Sequence, residues 1–157
     1  MDYAGIRSAD LSAVAFYENM GLTFQHILTG NFIHLPESFV QFIDAAPDWI
    51  TNKLWIEKTI RKELDYARKI YYVPHHLSHA ATAFYPSPFQ DAAILTIDGV
   101  GEWSTMTWGI GENNGITIRK SIDYPHSLGL LYSAFTYYTG FQINNGEYQM
   151  IGTGAIR

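Results

Sequence analysis

The 157-residue chain has no cysteine. Disulfide staples are therefore excluded, as are zinc and iron–sulfur sites built on thiolates, and any metal would have to be held by His, carboxylate and water. Basic charge is also scarce: ten Lys and Arg stand against fifteen Asp and Glu, a formal net charge of -5. No global basic footprint for nucleic acid is present. Long apolar runs are missing as well. The most apolar stretch, "SLGLLYSAFTYYTGF", is too short and too rich in hydroxyls to cross a bilayer. The opening "MDYAGIRSAD" lacks the apolar centre of a secretory signal, so a cytoplasmic protein with no membrane partner is expected.

Hydrophobic residues make up 47% of the chain and charged ones 16%, a balance that favours a packed interior over disorder. "LSAVAFYE" (11–18) reads as a buried strand and "KIYYV" (69–73) as a strand. "PESFVQFIDAA" (36–46) suits a helix start. From Asp48 to Ile70 the spacing predicts one long helix, with Ile56, Ile60, Leu64 and Ala67 as its apolar stripe and Glu57–Arg61 as a favourable i,i+4 pair. Six of the ten basic residues fall here: Lys53, Lys58, Arg61, Lys62, Arg68 and Lys69. They read as a solvated face or, more sharply, as a dock for an acidic partner or a phosphate.

Downstream, "VPHHLSHAATAFY" is expected to be helical up to the break at "PSP", and "AAILTID" (92–98) to be a buried strand. "STMTWGIGENNGITIRKSIDY" alternates and turns at "ENNG", a hairpin signal, and the next helix has Ser127 as its N-cap candidate. The expected order β, α, α, β, α, β, β, β, α implies an α/β layer architecture with a mixed sheet and flanking helices.

Three of the six histidines lie within five positions. Each helical residue turns about 100°, so residues four apart sit about 40° from alignment. His75 and His79 therefore point the same way, at a spacing that lets two imidazoles share one ion. His76 and His79, three apart, are a second possible pair. Asp98 ends the following strand, and a crossover brings that end toward the helix start, where ligands sit in α/β sheets. Two His and one carboxylate suit Fe(II), Zn or Mn. In "DGVG", Gly99 and Gly101 let backbone approach a ligand closely, and their N–H groups could hold a phosphate. The plainer alternative makes the histidines core or capping residues and "DG" an ordinary turn.

The long segment "VPHHLSHAATAFYPSPFQDAAILTIDGVGEWSTMTWG" resembles the signature of the O-carbamoyltransferase family, the enzymes of nodulation-factor and antibiotic tailoring. "SLGLLYSAFTYYTGFQINNGEYQMIG" resembles that family's next stretch, and "AVAFYEN" and "SFVQF…W…KLW…IRKEL" are similar to its upstream part. The resemblance implies a partial actin/Hsp70/sugar-kinase-like (ribonuclease H-like) domain. It implies ATP-dependent activation of carbamoyl phosphate to a carbamoyl-adenylate, then transfer to a hydroxyl on a small-molecule acceptor. It also implies an iron-type divalent metal on His75, His79 and Asp98, with Gly99 and Gly101 against phosphate or ribose. Glu102 is expected either to position substrate or to be a plain loop acid.

Departures accompany the resemblance. The family's first phosphate-loop hairpin and its carboxy-terminal domain are not matched, and a further metal-binding Asp belongs to the unmatched part. Gln149 stands where the family carries Lys, and "GAIR" leaves the pattern. The chain is thus expected to be a single partial domain, 1–157, with open sheet edges suited to a homo-oligomer or a partner chain. The alternative function is a truncated, non-catalytic remnant or interaction module. A relative of the tRNA threonylcarbamoyl enzymes is disfavoured by the negative charge.

Overall fold

A computed structural model describes residues 5–33, 35–36 and 38–154, which fall into two compact units dividing between His75 and His76. Glu37 in the expected helix start and the "AIR" of the divergent tail lie outside the described residues.

The first unit holds a short parallel pair, β1 (Val14–Phe16) and β2 (Ile70–Tyr72), in the register Val14↔Ile70 and Phe16↔Tyr72. Parallel strands need a long crossover. It is supplied by α1 (Met20–Ile33), α2 (Phe39–Thr51) and α3 (Ile56–Leu64). No one-sided apolar stripe announces α1: Leu22, Phe24, Ile27, Leu28 and Phe32 surround its axis. Its start carries the clearer mark, because Asn19 Oδ1 accepts from the Gly21 and Leu22 N–H groups at 3.1 and 3.3 Å. Phe24 and Trp49 bring α1 and α2 together, ring centroids 5.9 Å apart.

The single helix expected over 48–70 is two. Helix α2 runs through Pro47 and ends at Thr51, and a 3-10 turn at Lys53–Trp55 precedes α3. Side chains take over the backbone partners at this break: Trp55 Nε1 donates to Ile50 O (2.7 Å) and Asn52 Nδ2 to Asp48 Oδ1 (2.9 Å). Asp65, in the left-handed region at φ 46°, ends α3 and leaves Ala67 outside it. The basic residues here are largely engaged locally. Arg61 donates to Glu57 and to the carbonyls of Tyr66 and Arg68, Arg68 to Leu11 O, while Lys53 and Lys69 lie over the Trp49 and Tyr71 rings. This favours the solvated-face reading over a phosphate dock.

Helix α4 (His75–Phe84) starts at the last residue of the first unit, and the second unit continues from it into an antiparallel sheet in the order β3 (Asp91–Ile97), β4 (Ser104–Glu112), β5 (Gly115–Asp123). The hairpin turn carries Asn113 at φ 54°, as "ENNG" suggests. One face of the sheet lies under α4. Ala80, Phe84 and Ile94 form its core, flanked by Ala92, Ile116 and Ile118. Gly111 makes room for this packing, since a Cβ there would fall 2.6 Å from the Phe84 ring. The other face stays open and apolar: Leu95 is 61% exposed and Ile97 50%, next to Trp108 and Ile122. Helices α5 (Leu128–Tyr138) and α6 (Glu147–Gly154) follow. The order differs from expectation by two added helices, α1 and α6. No described helix is long and apolar enough to cross a membrane.

Candidate metal centre

Pro74 precedes α4, and the first helical turn then distributes the three histidines around the axis. His75 and His79 share one side, as their spacing requires. His76 turns toward the sheet and is 5% exposed. Its Nε2 lies 2.7 Å from Ser104 O and its Nδ1 2.7 Å from Thr96 Oγ1, which in turn lies 2.7 Å from Thr107 Oγ1. A carbonyl only accepts, so Nε2 carries the proton. With a neutral ring, Thr107 donates to Thr96 and Thr96 to Nδ1, so the His76–Thr96–Thr107 relay runs in one direction. The alternative pairing of His76 with His79 at an ion is therefore not formed: their rings stand 6.0 Å apart, and both His76 nitrogens are engaged in the core.

Asp98 follows the last residue of β3 and continues the ladder, its N–H donating to Thr105 O at 2.9 Å. Its carboxylate is divided in function. Oδ1 accepts from the Gly99 N–H at 2.6 Å, and Oδ2 lies 3.3 Å from His79 Nε2. One ligand atom each from His75, His79 and Asp98 lies within 4.8 Å of the other two. A first-row divalent ion with bonds of roughly 2.1 Å spaces adjacent donors roughly 3–4 Å apart. The set fits such an ion after a small inward movement, and His79 is exposed enough to make it. The donor types, two imidazoles and one carboxylate, suit Fe(II), Zn or Mn.

The turn after Asp98 is tightly bonded. The Gly101 N–H donates to Ser104 O at 2.9 Å, the same oxygen that accepts from His76. Both turn N–H groups with candidate phosphate roles, those of Gly99 and Gly101, thus have partners within the protein, and a phosphate would have to displace these bonds. Gly99 has no positive φ, and a Cβ there would meet nothing nearer than Leu130 at 3.8 Å. Among the described residues nothing requires glycine at this position. Glu102 is half-buried in the same turn.

Beside Asp98 opens a cleft of about 570 Å³, lined by Asp98, Gly99, Gly129, Leu130, Ser133 and Asn144 among others. Its floor is the start of α5. Sequence spacing marks Ser127 as a cap but does not reveal that it reaches back to the Asp98 turn, 28 and 29 residues away.

The sequence matches the family described as Carbamoyltransferase N-terminus over residues 1–156. An uncharacterized protein of Synechocystis, sll1178, is 43% identical over 157 residues, 95% of this chain and 26% of that protein. Nodulation protein NolNO of Sinorhizobium fredii is 28% identical over 156 residues, covering 97% of this chain and 21% of its own length. An uncharacterized protein of Methanocaldococcus jannaschii, MJ1058, is 33% identical over 115 residues, 62% of this chain and 19% of that protein. The chain spans about a quarter of the length of the first two relatives. The motif that runs through α4, β3 and the Asp98 turn thus sits within a family match covering nearly every residue, and the chain belongs to the carbamoyltransferase N-terminal family.

Proposed function

We propose that this chain forms the metal-binding, nucleotide-facing part of an O-carbamoyltransferase. The observation that carries the reading is the convergence of His75, His79 and Asp98 at the end of β3, beside an open cleft. The overall reaction balances as follows: carbamoyl phosphate and water give carbamate and phosphate; carbamate attacks the α-phosphorus of ATP, giving carbamoyl-adenylate and pyrophosphate; and the acceptor hydroxyl attacks the carbamoyl carbon, releasing AMP. Every anionic species in this sequence benefits from a divalent ion, Fe(II) or else Zn or Mn, which would supply charge neutralisation. The protein's own part is to hold the ion's donors: His75 and His79 through the pitch of α4, Asp98 through its Oδ1 bond to Gly99. Gly99 and Gly101 leave the turn slim enough for phosphate or ribose to lie against it, and Glu102 stands in the same turn to position substrate.

The finer fold reading, an actin/Hsp70/sugar-kinase-like domain, accompanies this proposal. It is supported by the antiparallel meander β3–β4–β5 leading into a helix whose start meets the end of β3. An ATP-dependent reaction suits the cytoplasmic setting read from the sequence. A second reading, a domain of this fold without turnover, is favoured by Gln149. The side chain of this exposed residue donates to its neighbour's hydroxyl, Tyr148, at 3.2 Å, and it brings no positive charge where the family carries Lys. The test is pyrophosphate release from ATP that depends on carbamoyl phosphate. Release abolished by Asp98→Asn supports the enzyme; metal binding without any release supports the second reading.

A further inference from the structure

Ser127 and the close approach of Gly129 tie the beginning of α5 to the turn that carries Asp98. The Ser127 hydroxyl accepts from the Leu130 N–H at 3.0 Å, capping the helix, and lies 2.6 Å from Gly99 O and 3.2 Å from Asp98 O. A hydroxyl has one proton, and the shorter contact takes it. Ser127 thus accepts from α5 and donates to the Asp98–Gly99 turn. Gly129 completes the contact from the other side, for a Cβ there would sit 2.5 Å from the Asp98 carbonyl carbon and 2.6 Å from Gly99 N. Ser127 is itself held in place, because the fully buried Thr105 donates to the carbonyl of the preceding residue, His126.

We infer that Ser127 is a positioning residue for Asp98: by donating to Gly99 O its hydroxyl fixes the Gly99–Val100 peptide, and so holds the turn in which the Gly99 N–H keeps Oδ1 and Oδ2 is left facing His79. Capping alone needs only an acceptor at position 127, and Ser, Thr and Asp all provide one. Holding Gly99 O needs a donor, which Ser and Thr provide and an ionised Asp does not. The two roles therefore separate in a pair of conservative variants. The inference rests on the proposed metal site for its consequence, but not for its geometry.

The experiment uses the full chain with Ser127→Thr, Ser127→Asp and, as a control on the metal site, His79→Ala. Residue-resolved amide exchange is measured without metal, and Zn(II) affinity by calorimetry. In Ser127→Asp the Leu130 N–H keeps its protection while the Gly99 N–H exchanges faster. Zn(II) affinity falls about tenfold, the scale of losing a partner that orients a ligand. Ser127→Thr stays near wild type on both readouts. Equal Gly99 protection in wild type, Ser127→Thr and Ser127→Asp would overturn the positioning role, whatever the metal result. Wild-type Zn(II) binding that is absent or indifferent to His79→Ala would overturn the metal reading instead, and Gly99 exchange would still decide the role of Ser127.

Discussion

His79 Nε2 and Asp98 Oδ2 stand 3.3 Å apart although nineteen residues separate them in the chain. The pairing joins the outer side of α4 to the end of β3, and among the described contacts it is one of two links that histidines of α4 make to the sheet. The other is buried: His76 bonds Thr96 and Ser104 beneath it. Two histidines three apart on one helix thus differ in surroundings: His76 is bonded into the core, whereas His79 faces Asp98 at the exposed edge, where the proposed function would use it as a metal ligand.

That contrast predicts opposite stability effects. His76→Ala leaves the Thr96 hydroxyl and Ser104 carbonyl short of a partner in a buried site and opens a void, so it should cost about 2–4 kcal/mol. His79→Ala removes an exposed ring and should change stability by no more than about 0.5 kcal/mol. Urea unfolding of both variants checks this. Equal losses would mean that His76 is no strut.

The packing of Phe84 on Gly111 predicts a specific coupling. Gly111→Ala forces a methyl into the Phe84 ring and should cost about 1–3 kcal/mol. Phe84→Ala alone should cost about 3–5 kcal/mol. Combined, the two should fall short of their sum, because the smaller side chain accommodates the new methyl. Strict additivity in a double-mutant cycle would contradict the contact.

Acid sensitivity should arise partly at Glu57. Arg61, and after it Tyr72, hold its carboxyl below its ordinary value of 4.5, and Glu57 in turn helps to raise the Tyr72 hydroxyl, whose largest cause is burial. A carboxyl depressed in the folded state adds stability above its unfolded pKa and loses it as pH falls through the folded one. Below about 4.5, wild type should therefore lose an advantage over Glu57→Gln that it holds at neutral pH. Because the pair is solvent-exposed, the effect should be small and should shrink further in high salt. Denaturation midpoints from neutral pH down to acid, for both proteins, measure it. A gap between them that stays constant with pH contradicts the assignment.

The open face of the β3–β4–β5 sheet predicts binding of an apolar fluorescent dye by the native chain. Leu95→Thr with Ile97→Thr should lower that signal several-fold while leaving far-UV circular dichroism unchanged, since both residues are at least half exposed and Thr is a good strand former. An unchanged dye signal would place the exposed apolar surface elsewhere.

Much of the site is legible in sequence because helix pitch is local. Four residues separate His75 from His79, and that alone sets them on one side. The hairpin at Asn113 and the cap at Ser127 are legible for the same reason, each being a rule about neighbouring residues. What escapes is whatever depends on a distant partner. Nothing local tells that His76 turns inward to Thr96, or that the Ser127 hydroxyl reaches Gly99 O. Helix α1 escapes because apolar residues surround it, so no period stands out. The break after Thr51 escapes because no Gly or Pro marks it in "NKLW", while Trp55 and Asn52 redirect the backbone.

The most direct measurement is anaerobic titration of Fe(II), with Zn(II) in parallel, into the chain and into the His75→Ala/His79→Ala variant. About one equivalent bound by wild type, and lost in the variant, is the predicted result for a site of two imidazoles and one carboxylate. No binding, or binding that survives both substitutions, would contradict a metal centre on His75, His79 and Asp98.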